Sequence, residues 1–167
     1  MRFRTVGLYN EFSEHPLAHA TSVSDVDAYP LPDPLAPGRY DAADAAVQEF
    51  GRDHLVVGDL ECAMFETAWY LVGLEKLLAD MATEEPYVEA LLDRLAELTT
   101  RTGLELIGRG ADVLWAGDDF GTQERMLLSP AMWRRVFKPR IRAMFEAFRK
   151  AKREIKLAWH SCGSIVP

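Results

Sequence analysis

Three short runs constrain this chain most: His54–Gly58 (HLVVG), Ala111–Ala116 (ADVLWA) and Ile155–Trp159 (IKLAW). Each is short, largely apolar and read as a buried strand. Between them lie stretches with helical spacing. In Leu60–Met81, Phe65, Trp69, Val72 and Leu77 share a side, while Glu66, Glu75, Lys76 and Asp80 are free to face water. Pro86 opens the next helix in its first turn, where a missing N–H costs nothing. Val88, Leu91, Leu92, Leu95 and Leu98 supply its buried stripe, and Gly108 and Gly110 end it. Ser129-Pro130 caps a further helix that continues to about Arg153. Its Pro139 is expected to kink or split it. A shorter helix, Asp41–Gly51, precedes the first strand. This alternation is the rhythm of βα units in a parallel α/β sheet. A closed eight-stranded barrel takes about 250 residues, so 167 residues cannot close one.

Residues 1–40 read differently, as an irregular, Pro-rich N-terminal segment. Four of the nine prolines fall in Tyr29–Pro37 (YPLPDPLAP), which forces extended, irregular backbone. The run lacks the flanking basic residues of a polyproline ligand, so a surface connection is expected. The alternating pattern occupies 41–167.

Charge and composition exclude several functions. Lys plus Arg is 19 against 26 Asp plus Glu, a net charge of −7, which disfavours nucleic acid as a partner. No apolar stretch approaches the roughly 20 residues that span a bilayer, and no apolar core follows the basic Met1–Arg4, so neither a membrane span nor a secretory signal is expected. Two cysteines, Cys62 and Cys162, make no disulfide framework, and a reducing, cytoplasmic location is the expectation. No GxGxxG or P-loop supports nucleotide binding.

Ligands of parallel α/β sheets bind at the carboxyl ends of the strands. Asp59, Glu61 and Cys62 follow the first run, Asp118, Asp119 and Gln123 the second, and His160 and Cys162 end the third. Ionisable groups at all three ends, against mostly apolar interiors, point to a site. In extended chain His160 and Cys162, two residues apart, share a face. One imidazole nitrogen and one thiolate make half of a tetrahedral zinc site. The same spacing also allows a buried histidine beside an inert cysteine, or a Cys–His nucleophilic pair.

Four segments in order, EHPLAHATSVSDVDAYPLPDP, GADVLWAGDDFGTQ, SPAMWRRVFKPRIRAMF and WHSCGSI, resemble the uroporphyrinogen decarboxylase superfamily. The likeness is strongest to its methylcobalamin:coenzyme M methyltransferase-like branch and runs from about Glu14 to Pro167. The resemblance implies a (β/α)8 TIM barrel, here partial. It implies that His160 and Cys162 are zinc ligands, with a further cysteine from a later strand. It also implies that a zinc-bound substrate thiol takes a methyl group from a methylcorrinoid, with a corrinoid protein as the partner. Asp118 matches a strand-end aspartate lining the barrel mouth, with a positioning or supporting role. No cysteine follows Cys162, which leaves Cys62, Glu61 or Asp119 as candidate third ligands. The family's other activity, uroporphyrinogen decarboxylation in porphyrin biosynthesis, is the alternative. It needs clustered arginines and a tetrapyrrole substrate, for which only the scattered Arg101, Arg109 and Arg125 are available. An inactive barrel fragment or interaction module is the third reading. The chain reads as the middle of a superfamily member, with marginal stability alone and self-association through open barrel edges.

Overall fold

The computed structural model describes residues 2–6 and 9–165. Met1, at the head of the basic start, and Val166 and Pro167, at the end of the resemblance, lie outside the described residues. So do Gly7 and Leu8 of the N-terminal segment.

A parallel sheet of three strands carries the architecture: β3 (Val57–Cys62), β4 (Val113–Gly117) and β5 (Lys156–His160), in spatial order β3-β4-β5. Val57 pairs with Val113 and Val113 with Lys156; at the other end Gly117 pairs with His160. Helices α3 (Phe65–Val72), α4 (Leu74–Ala82) and α5 (Pro86–Arg109) connect β3 to β4, and α6 (Pro130–Ala151) connects β4 to β5. Before them come a hairpin of β1 (Arg2–Val6) and β2 (Tyr9–Glu14) and the helices α1 (Val23–Asp27) and α2 (Asp41–Phe50). The strand–helix rhythm gives the parallel α/β sheet, and its alternation is that of the partial barrel which the family resemblance implies.

Side-chain parity divides the sheet. Leu114 and Ala116 are buried toward the helices, while Trp115 between them is 45% exposed on the opposite face. Val57 is likewise exposed. Gly58 lets α5 lie close, since a Cβ there would meet Leu106 and Leu114 side-chain atoms at 3.0 and 2.9 Å. One core cluster under the lower sheet gathers Ile107, Leu114, Met144, Phe148 and Ile155. A larger one lies between α3, α5 and the first half of α6. In it Phe65, Phe120 and Phe137 meet with ring centroids 5.0 to 5.6 Å apart. Phe65 follows the end of β3 and Phe120 the end of β4, so this burial anchors both strand ends to α6.

Several expectations need correction. The first strand spans Val57–Cys62, not His54–Gly58, because pairing with β4 sets the register. Leu55 remains 73% exposed. Asp59, Glu61 and Cys62 therefore lie within the strand, at an irregularity where the Asp59 carboxylate accepts the Glu61 N–H at 2.8 Å and Glu61 has φ +43°. The helix expected over Leu60–Met81 starts only at Phe65 and breaks at Gly73, whose φ of +98° ends α3 and starts α4. α6 is not split: it runs through Pro139, with Val136 and Phe137 before it and Met144 and Phe148 after it all buried. Residues 1–40 are not irregular throughout, since they hold the hairpin and α1, the latter with a Ser22–Asp25 capping box. Tyr29–Pro37 itself has no helix or strand, and the Tyr40 hydroxyl fastens it by donating to the Pro34 carbonyl at 2.8 Å. Among the described residues no helix is long and apolar enough to cross a membrane.

Two glycines of α5 give opposite expectations. Gly103 faces the Phe148 ring, and an added Cβ would lie 2.5 Å from it; Gly108 has open space. Gly103→Ala is expected to cost about 2 kcal/mol through overpacking. Gly108→Ala should add about 0.8 kcal/mol through helix propensity. Urea unfolding of the two variants checks this; equal effects would contradict the α5–α6 packing.

Candidate metal centre

Three strand ends converge through main-chain bonds. Gly117 lies so close to β5 that a Cβ would sit 2.6 Å from the His160 carbonyl oxygen. The next N–H, of Asp118, donates to that oxygen at 3.2 Å, and the Ala63 N–H donates to the Gly117 carbonyl at 2.8 Å. Asp118 itself is wholly buried. Its carboxylate accepts the Met64 N–H at 3.0 Å and the Glu66 N–H at 3.0 Å. These are orphan donors at the start of α3, whose own N-cap residue Met64 offers no side-chain acceptor. Burial pushes the Asp118 pKa up to about 7, against the pull of the backbone donors. Asp118, expected at the mouth, thus lies beneath it, and support of the rim is the role its contacts allow.

Asp119 points the other way. Its Oδ1 accepts the Cys162 N–H at 2.7 Å, while its own N–H donates to Glu66 Oε2 at 3.0 Å. The following N–H, of Phe120, donates to Ser161 Oγ at 3.2 Å. The Ser164 N–H donates to the Thr122 carbonyl at 2.7 Å. Between these bonds Gly163 has φ +80°, and a Cβ there would meet the Gly121 carbonyl carbon at 2.5 Å. Only glycine lets the loop after β5 lie flat on the loop after β4.

The result is a convergent donor set. His160 Nε2 lies 3.1 Å from Cys162 Sγ and 3.6 Å from Asp119 Oδ1. The three ligand atoms all lie within 4.8 Å of one another. A tetrahedral zinc with bonds of about 2.0–2.3 Å needs ligand separations of about 3.3–3.6 Å, so the set fits such an ion with small adjustments. Thiol and carboxylate approach the same imidazole nitrogen. A nucleophilic triad instead needs the carboxylate on the second ring nitrogen. The Cys162 thiol pKa is raised, first by the interaction with Asp119, then by desolvation and by the Asp119 and Glu66 charges. Without a cation these surroundings hold it as the thiol. The Trp115 ring lies nearly parallel to the imidazole, 19° between planes and 6.1 Å between centroids.

Of the other candidates, Glu61 and Cys62 stay outside this group. Cys62 Sγ contacts the Tyr70 hydroxyl at 3.7 Å, and burial pushes its pKa up to about 11. Among the described residues, Asp119, His160 and Cys162 are the one such group of three. Gln123 is exposed in the turn beyond β4. Arg109 pairs with Asp44 and Glu105, and Arg101 with Glu97. Glu66, expected to face water, is half-buried and accepts the Tyr70 hydroxyl on Oε1 at 3.0 Å besides the Asp119 N–H. The sequence signal was its i,i+4 spacing to Tyr70 in the first turn after a strand.

Comparison with known proteins agrees with this fold. The family model for uroporphyrinogen decarboxylase (URO-D) matches residues 11–167. A methyltransferase from Methanosarcina mazei superposes with a TM-score of 0.60 at 22% identity, over 74% of this chain and 34% of that one. This chain thus spans about a third of the length of that structure, and the likeness shows the fold. No curated protein matches the chain.

Asp118→Ala strands the buried N–H groups of Met64 and Glu66 and is expected to cost about 3 kcal/mol in urea unfolding, with Asp118→Asn costing less. The native pKa lies above the ordinary 3.8. Its stabilising contribution is therefore full below about pH 4 and lost as pH rises through 7. The stability of the wild type relative to Asp118→Asn should fall between pH 4 and pH 8. A flat difference would mean that the N–H donors hold the carboxylate ionised throughout.

Proposed function

The chain belongs to the uroporphyrinogen decarboxylase family, and on that premise we propose that Asp119, His160 and Cys162 hold a zinc ion for methyl transfer from a methylcorrinoid to a substrate thiol. The observation that carries this reading is the approach of one carboxylate oxygen and one thiol to a single imidazole nitrogen. A bound zinc ion supplies a Lewis acid that keeps a substrate thiol as thiolate, the nucleophile toward a corrinoid-borne methyl group. The chain's own residues do the rest. His160 offers Nε2 from the end of β5, and Cys162 turns back toward it through the Gly163 loop. Asp119 adds an oxygen and a negative charge, which together with Cys162 would bring the donor set to two negative charges. His160 and Cys162 are exposed, so a substrate can reach the remaining position.

The acidic rim favours this reading over decarboxylation of a tetrapyrrole. Glu66 and Asp119 meet at the strand ends, with Glu66 Oε2 3.0 Å from the Asp119 N–H, and this negative charge attracts a dication and repels acetate groups. The structural neighbour is itself a methyltransferase.

Metal analysis and a methylcobalamin assay test the proposal. One zinc per chain is expected, with affinity falling at least about 100-fold in His160→Ala and Cys162→Ser and about 10-fold in Asp119→Ala. Loss of the methylcobalamin absorbance with a thiol acceptor should require that zinc. Equal zinc content in the wild type and both ligand variants would overturn the reading.

A further inference from the structure

We propose that Glu66 is a positioning residue that presents Asp119 as the oxygen donor of the metal centre. The inference rests on the metal-site reading and goes beyond it to the element that controls the site. Among the described residues, two hydrogen bonds hold Asp119 outside the candidate metal position. One is Oδ1 on the Cys162 N–H at 2.7 Å, and the other is its N–H on Glu66 Oε2 at 3.0 Å. The first of these must be shared or given up when Oδ1 turns to an ion. The Glu66 bond is then the one that still fixes the Asp119 peptide.

Glu66 is built to hold a position. Its N–H is fixed on Asp118 Oδ1 at 3.0 Å, and its Oε1 accepts the Tyr70 hydroxyl at 3.0 Å. Tyr70 is in turn held by the Phe12 and Trp69 rings at centroid distances of 4.5 and 4.3 Å, and its carbonyl contacts His15 Nδ1 at 2.9 Å. A brace therefore runs from α3 to the main chain of a ligand. Ser161 Oγ takes the neighbouring Phe120 N–H from the opposite side, so successive peptides of the β4 loop are pinned by side chains from the two flanking strand ends. The join of α3 to β4 does not need the Glu66 side chain, because Asp118 already makes it with its buried carboxylate. Removing the Glu66 carboxylate should therefore disturb the ligand more than the fold.

Cobalt(II) titration of the metal-stripped chain tests this, with the visible absorption of the bound ion as the spectroscopic readout. Glu66→Ala should weaken cobalt(II) binding 10- to 100-fold and change the band shape. Its urea midpoint without metal should stay close to wild type. Glu66→Gln can still accept the Asp119 N–H through its amide oxygen while its NH2 faces the Tyr70 oxygen, so it should bind within about 3-fold of wild type. In an Asp119→Ala background, Glu66→Ala should add little further weakening, because the two act as one unit. Unchanged affinity and spectrum in Glu66→Ala, or full additivity with Asp119→Ala, would overturn the inference while leaving the metal centre standing. A wild-type chain that binds no cobalt(II) would remove the metal centre itself, and this inference with it.

Discussion

The buried carboxylate of Asp118 is the contact on which the site depends. It takes main-chain N–H groups from the start of α3, and its own N–H reaches the His160 carbonyl on β5. One residue just past the end of the central strand thus ties all three strand ends. A buried carboxylate is costly unless its oxygens are occupied, and the uncapped start of α3 supplies donors that would otherwise be orphaned. The two deficits cancel, which fixes where the adjacent Asp119 must point. The packing of Phe65, which follows β3, and Phe120, which follows β4, against Phe137 of α6 supplies the apolar anchor.

Above that tie the chemistry changes character. Buried groups below the rim are saturated with hydrogen bonds, whereas His160 and Cys162 are exposed. The imidazole is oriented on one side by the Trp115 ring and meets the thiol and carboxylate through Nε2 on the other. Negative charge accumulates from Asp119 and Glu66 without a neighbouring guanidinium in any described contact, and the Cys162 pKa is raised first by its interaction with Asp119, then by desolvation and by these charges. A dication would invert that consequence by favouring the thiolate. The same charge pattern serves a metal centre well and an anionic tetrapyrrole poorly.

Much of the frame was legible because it rests on local signals. β4 and β5 lie within two residues of their apolar runs, and Pro86 and Ser129-Pro130 open α5 and α6 as caps should. Strand parity anticipated the nearness of His160 and Cys162, although β5 ends at His160 and the loop beyond it sets the position of Cys162. What escaped depends on partners distant in sequence. β3 was misplaced because Leu55 and Val56 look like strand residues, but only pairing with β4 decides the register. Glu66 read as a solvent residue because its partners, Asp118 and Asp119, come more than fifty positions later. Asp119 was one of three candidate ligands, and no spacing rule separates it from Glu61 or Cys62. The two loops that bring it to Cys162 are hydrogen-bonded to each other, and the close approach of Gly163 to Gly121 lets them lie together.

Zinc K-edge X-ray absorption on the metal-loaded protein counts the ligands of the bound ion by element. The donor set predicts a four-coordinate ion with one sulfur at about 2.3 Å and the remaining nitrogen and oxygen ligands at about 2.0–2.2 Å. The sulfur shell should vanish in Cys162→Ser. A first shell without sulfur in the wild type, or a sulfur shell that survives in Cys162→Ser, would contradict it.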